Sequence, residues 1–177
     1  MEFRSAGAED AEQVAMLHAD SWRRHYRGAY ADAFLDGDVV TDRTKVWSER
    51  LSAPAGTATV LAEEDGHLKG FVHVMFDHDE QWGSLVDNLH VHYSQQRTGI
   101  GRQLMTRAAQ AVIEEATSEA MYLWVLEQNT RAQAFYLATG ATNAGQKAVP
   151  PPGGDPTRLN GTPQAFRMVW PDASRLK

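Results

Sequence analysis

The stretch Asp87-Asn88-Leu89-His90-Val91-His92-Tyr93-Ser94-Gln95-Gln96-Arg97-Thr98-Gly99-Ile100-Gly101-Arg102 runs from strand-forming residues through a glycine turn into a helix. Gly99 and Gly101 put no side chain between the backbone and an incoming anion. Successive N–H groups can therefore converge on phosphate oxygens at the positive end of the helix that follows. That helix is signalled by Leu104, Met105, Ala108, Ala111, Val112 and Glu115 at helical spacing, with Arg102, Arg107, Gln110 and Glu114 largely on the other face. Two other phosphate motifs fit poorly. A Walker loop needs a glycine, four intervening residues and then Gly-Lys-Ser/Thr, which no run here supplies, and a dinucleotide fingerprint would need a small residue where Leu104 stands.

A second segment follows in the same spirit. Met121 to Asn129 is β-rich, and Thr130 to Gly140 reads as a short helix closed by glycine. Asn129 and Tyr136 lie close to two helical turns apart, which sets them on the same side, where they can share a ligand. The same pair also reads as a capped helix, with Asn129 the N-cap and Tyr136 a half-buried packing residue.

Gln96-Arg97-Thr98-Gly99-Ile100-Gly101 fits (Arg/Gln)-x-x-Gly-x-(Gly/Ala), and with the later order of strand, Asn, helix, Tyr and Gly the chain resembles the GNAT superfamily of N-acetyltransferases. The resemblance covers nearly the whole chain. It implies an α/β fold with a mixed, mostly antiparallel central sheet flanked by helices, its strands splayed at an acetyl-CoA site. The backbone of Val91, with Leu89 and His92 nearby, would then meet the acetyl carbonyl and pantetheine. The amides of Arg97, Thr98, Gly99, Ile100, Gly101 and Arg102, with Gln96 at the start, would hold the pyrophosphate. Asn129 would bond the pantetheine arm or orient its helix, and Tyr136 would protonate the departing thiolate. Arg97 departs from relatives that often carry glycine there. Asp20 to Tyr30 resembles a Ser-Trp…Tyr-Arg-Gly element that lines the acceptor pocket in relatives, which makes Trp22, Tyr26 and Tyr30 candidates for the acceptor, core packing being the other reading.

The proton acceptor is the least defined part. Strand alternation puts Asp87, Leu89 and Val91 on one face and His90 and His92 on the other. Asp87 is the first candidate base, with His90 and His73 beside it, and each can also be a strand residue bonded locally. The expected reaction is direct transfer from acetyl-CoA to a primary amine of a small molecule or peptide. A noncatalytic acyl-CoA-binding or sensing domain is the alternative, disfavoured by Tyr136, which a pure binder does not need.

At 177 residues and 42% hydrophobic composition, the chain is expected to be one domain spanning 1–177. It has no cysteine, which excludes disulfides, thiolate metal sites and a cysteine acyl intermediate, and no metal is expected. The formal charge of −6 disfavours nucleic acid as a partner and suits a cationic small substrate. No apolar run approaches a membrane span and Met1-Glu2-Phe3-Arg4 lacks a secretory layout, so a cytoplasmic location is expected; a homodimer is compatible with the resemblance.

Along the chain, Glu2 to Ser5 reads as a strand, Ala8 to Ala19, part of Ala29 to Leu35 and Asp42 to Ser52 as helices, and Thr57 to Glu63, His67 to Phe76 and Ser84 to His92 as a meander. Asp65-Gly66 and Asp77-His78-Asp79-Glu80 are the expected turns, and Ala165 to Trp170 the last strand. Val149 to Pro156, rich in Pro and Gly, reads as an exposed connector sooner than a substrate lid, and Trp82 and Trp124 as structural strand residues.

Overall fold

The computed structural model describes residues 1–176. Strand β1 (Glu2–Ser5) precedes helices α1 (Ala11–His25), α2 (Asp32–Asp36) and α3 (Val39–Ser52). Strands β2 (Thr57–Glu64), β3 (His67–Asp79) and β4 (Gly83–Val91) form an antiparallel meander. Then come α4 (Ile100–Glu115), β5 (Met121–Leu126), α5 (Thr130–Ala138), β6 (Thr142–Ala148) and β7 (Gln164–Trp170). Among the described residues these strands make one sheet in the order β1-β2-β3-β4-β5-β7-β6, antiparallel except where β4 meets β5.

Each helix covers the sheet with the stripe its sequence dictates. α3 buries Val39, Arg43, Trp47 and Leu51, an uninterrupted i, i+4 row, and with Val14, Ala15 and Leu17 of α1 it covers Leu61 and Phe71 on one sheet face. α4 buries Leu104, Met105, Ala108, Ala109 and Val112 against Val72, Val74 and Leu123 on the other. Ala109 joins the buried stripe, whereas of the residues expected there Ala111 is half-buried and Glu115 exposed. α1 runs on to His25, six residues beyond the predicted end, so the Ser21–Tyr26 segment lies on and just after a helix.

β6 was not foreseen. Its residues are almost all polar or small and mostly exposed, as an edge strand's can be, so no apolar alternation marks it. The Val149–Pro156 connector carries short 3-10 turns, buries Pro152 and sends Val149 into the cluster around Trp22 and Phe34.

Arg4 ties the first elements together. Its guanidinium donates to both Asp10 carboxylate oxygens at 2.7 Å and to Glu63 of β2 at 2.8 and 2.9 Å. This pairing pulls the buried Asp10 carboxyl from 3.8 to about 2. A carboxylate depressed in the folded state stabilises above its ordinary pKa and loses that contribution as pH falls through the folded value. Asp10→Asn is therefore expected to cost about 2 kcal/mol at neutral pH. In denaturant titrations its deficit relative to the native protein should shrink from pH 4 to pH 2; a pH-independent deficit would rule the linkage out.

Candidate active site

β4 and β5 touch only at Ser84↔Met121 and Leu85↔Tyr122, and beyond those pairs they part. Gly83 closes the base of the resulting V. A Cβ there would lie 2.1 Å from the Ala120 carbonyl oxygen, and φ is +78°, so glycine is required. The neighbouring Ser84 N–H donates to that same oxygen at 3.0 Å. The open arms of the V bound a cavity of about 470 Å³, lined along β4 by Val86 to Val91 and along β5 by Leu123, Trp124 and Val125.

A β-bulge in β4 decides what faces this cleft. His73 pairs with Asn88 and Val74 with Val86, so Asp87 is the extra residue. Simple alternation from Ser84 would direct the N–H groups of Asn88 and His90 towards β5. The bulge shifts that parity by one. Since the His92 N–H donates to Lys69 O of the β3 side at 2.8 Å, the N–H groups of Val91 and Leu89 point to the open edge. His92's own amide is thereby committed to β3, and the expectation that it faces the acyl group is corrected.

The bulge also re-aims Asp87, correcting the expected face. Its carboxylate accepts from Arg50 Nη1 of α3 at 2.7 Å and from Asn88 Nδ2 at 2.6 Å, both through Oδ2, so it lies on the α3 side with His90 and not with Leu89 and Val91. His90 is buried and shares a 2.7 Å hydrogen bond between Nδ1 and Ser21 Oγ. Burial first, and the nearby His25 next, push it down to about 3, so it is a neutral imidazole at pH 7. His73 stays out of the cavity, bonded through Nδ1 to Thr59 Oγ1 at 2.7 Å.

The glycine turn closes one end of the cleft. Gly99 has φ +91° with open space around its missing Cβ, and Arg97 is also left-handed at φ +68°, a conformation that glycine adopts without strain. The first helical N–H to find a carbonyl here is that of Gln103, on Gly99 O, which leaves the preceding amides free for an anion. Thr98 braces the turn by donating to Gln95 O at 2.6 Å, while Ile100 is buried beneath it, so neither side chain lines the cavity. Gln96, Arg97, Gly99, Gly101 and Arg102 do line it, and Arg131 of α5 joins them.

α5 forms the remaining wall. Asn129 Oδ1 caps it by accepting from the Ala132 N–H at 3.2 Å, and Tyr136 sits two turns on; both line the cavity. Tyr136 is packed against Phe135 and Trp170, and burial raises its phenol well above the ordinary tyrosine value, so it stays protonated.

A family model described as the acetyltransferase (GNAT) family matches residues 11–141. The chain belongs to the GNAT family. Among its relatives are an uncharacterised N-acetyltransferase, YuaI, of Bacillus subtilis, 27% identical over 98% of this chain and 95% of that one. A probable N-acetyltransferase of Mycobacterium tuberculosis is 30% identical over 76% of this chain and 75% of its own length. The crystal structure of the PaiA N-acetyltransferase of Thermoplasma acidophilum in complex with coenzyme A superposes with a TM-score of 0.71, 17% identity and coverage of 96% of this chain and 98% of that one, which establishes the shared fold.

The expected acceptor residues of this GNAT chain divide. Tyr26 lines the cavity, whereas Trp22 and Tyr30 do not: they are packed with Phe34, Ala29 and Leu126, and the Arg43 guanidinium covers the Trp22 ring at 4.3 Å. These two are packing residues, because α1, α2 and the end of β5 meet on them. Several lining residues escaped sequence reasoning. Ser21 and His25 stand one turn apart on the α1 extension, a spacing that would have flagged them had the helix been carried past Ala19. Trp124, read as structural, borders the cavity because β5 leaves β4 before reaching it. Among the described residues no helix is long and apolar enough to cross a membrane.

Proposed function

We propose that this GNAT acetyltransferase is a single-domain cytoplasmic enzyme that moves an acetyl group directly from acetyl-CoA to a primary amine of a small molecule or peptide. One observation carries the reading. The parting of β4 from β5 leaves the Leu89 and Val91 N–H groups without strand partners, in a cavity of about 470 Å³ that also holds the Gly99 turn, Asp87 and Tyr136. The donor assignment draws further support from the coenzyme A complex of the PaiA neighbour. The residues present fit such a cofactor: a glycine turn with room at Gly99, free helix-terminal amides, and Arg97, Arg102 and Arg131 along the same wall.

Acetyl-CoA supplies an activated acyl carbon as a thioester. In this reading the Val91 N–H, with Leu89 beside it, donates to the acyl oxygen and stabilises the negative charge that develops there. The turn amides from Arg97 to Arg102 anchor the pyrophosphate, and the Asn129 amide nitrogen, its oxygen already used in the cap, is free to donate to the pantetheine arm. Asp87 has Oδ2 committed to Arg50 and Asn88 and offers Oδ1 to the incoming amine, either orienting it or taking its proton. The His90 ring, held neutral by burial, is too weak a base to share that task. Tyr136 donates its hydroxyl to the departing sulfur. A buried phenol is a weaker acid than a thiol, so its proton is released only as a second proton, lost by the amine nitrogen once it is bonded to the acyl carbon, replaces it.

With acetyl-CoA at saturation, thiol release should depend on added primary amine and match the acetylated amine detected by mass spectrometry. Release that ignores the amine, or none with any amine, would contradict this function.

A further inference from the structure

On the sheet face that carries Asp87, the cluster of Leu85, Tyr122 and Val169 is bordered, among the described residues, by apolar side chains that all come from strands and a turn: Met75, Trp82, Trp124 and Ala144. Trp124 and Arg167 are direct partners across β5 and β7, and Lys147 of β6 pairs with Ala165, so alternation directs all three side chains to this face. The Arg167 guanidinium carbon lies 4.5 Å from the ring centroids of both Trp82 and Trp124, and the Lys147 ammonium 4.1 Å from that of Trp124.

Two cations thus share one indole, and among the described residues neither takes part in an ion pair. Arg167 Nε is buried with no hydrogen-bond partner. Burial first, and the Arg167 charge next, push the Lys147 ammonium below its ordinary value; Asp87 acts on it in the opposite sense, but Asp87 is already paired with Arg50. Cation–π contact accounts for the posture of these groups. It gives them no paired carboxylate: Asp79 acts on Arg167 through charge alone, without an ion pair. A guanidinium held by ring faces presents a fixed fork suited to a carboxylate, and the Trp124 ring against which both cations stand itself lines the cavity, as Asp87 does.

We propose that the acceptor is an amine that also bears a carboxylate, an amino-acid-type substrate whose amino group meets Asp87 while its carboxylate is held by Lys147 and Arg167 over Trp124. This rests on the transfer reading above and narrows its substrate class.

The test compares kcat/KM at saturating acetyl-CoA for α-, β- and γ-amino acids, the amide of each, 2-aminoethyl phosphate and putrescine. An amino acid should exceed its own amide by ~10-fold or more, the size of a charge-assisted hydrogen bond. The exposed Lys147→Met should raise KM for that amino acid ~10-fold and erase the preference, with calorimetric acetyl-CoA affinity retained as proof of fold. Arg167→Met, which also disturbs the indole stack, should do the same. Amides or putrescine turned over as well as amino acids, a phosphate preferred over every carboxylate, or a preference surviving both substitutions would each overturn the proposal. If no amine is acetylated, the transfer reading falls and this inference with it, whereas uniform turnover of amines sinks only the carboxylate assignment.

Discussion

Gly99→Asp is expected to weaken coenzyme A binding ~100-fold or more, the equivalent of about 3 kcal/mol. Crowding is not the cause. Nothing lies nearer than 4.0 Å to a Cβ at this position, and Asp is among the residues that best tolerate the left-handed φ of +91°. The effect comes from charge: the new carboxylate stands among the amides assigned to the pyrophosphate, and like charges about 4 Å apart near a protein surface repel by about 4 kcal/mol. A carboxylate at this helix N-terminus favours the helix dipole, so folding should hold, which separates lost binding from lost structure. Gly99→Asn has the same shape without the charge and should lose less than ~10-fold by the same reasoning. Equal losses in the two variants would transfer the effect to the backbone; native-like binding by the Asp variant would remove the phosphate from this turn.

Tyr136→Phe should lower kcat ~100-fold or more while leaving acetyl-CoA affinity within about twofold. The ring is held by Phe135 and Trp170, whose contacts a phenyl group reproduces, so only the hydroxyl is tested. Because burial raises the phenol, native kcat should show no fall from Tyr136 ionisation below pH 10. A parallel loss of affinity and turnover would make Tyr136 a packing residue, and unchanged turnover at saturating amine would remove it from the acid role.

The turn and its helix were legible because their signals are local. Glycine at a left-handed position and an apolar stripe at i, i+4 are written in consecutive residues, and the cap at Asn129 with Tyr136 two turns on follows from helix geometry. The acceptor side was not, because long-range pairing sets it. A one-residue slip between β3 and β4 carries Asp87 to the α3 side and turns the Leu89 and Val91 amides into the cleft, and nothing within Gly83–Val91 announces it. Trp22, Tyr26 and Tyr30 look alike in sequence, yet the meeting of α1, α2 and β5 buries two of them and leaves Tyr26 on the cavity. Trp124 gained its place because β5 diverges from β4, and β6, polar and at the edge, carries no periodic signal at all.

The most direct measurement is calorimetric titration of the protein with acetyl-CoA, run beside Gly99→Asp. Saturable one-to-one binding that the substitution weakens by two orders of magnitude is the result this account requires. No binding by the native protein at millimolar acetyl-CoA, or binding that Gly99→Asp leaves untouched, would contradict the assignment of the β4–β5 cleft and its glycine turn as the donor site.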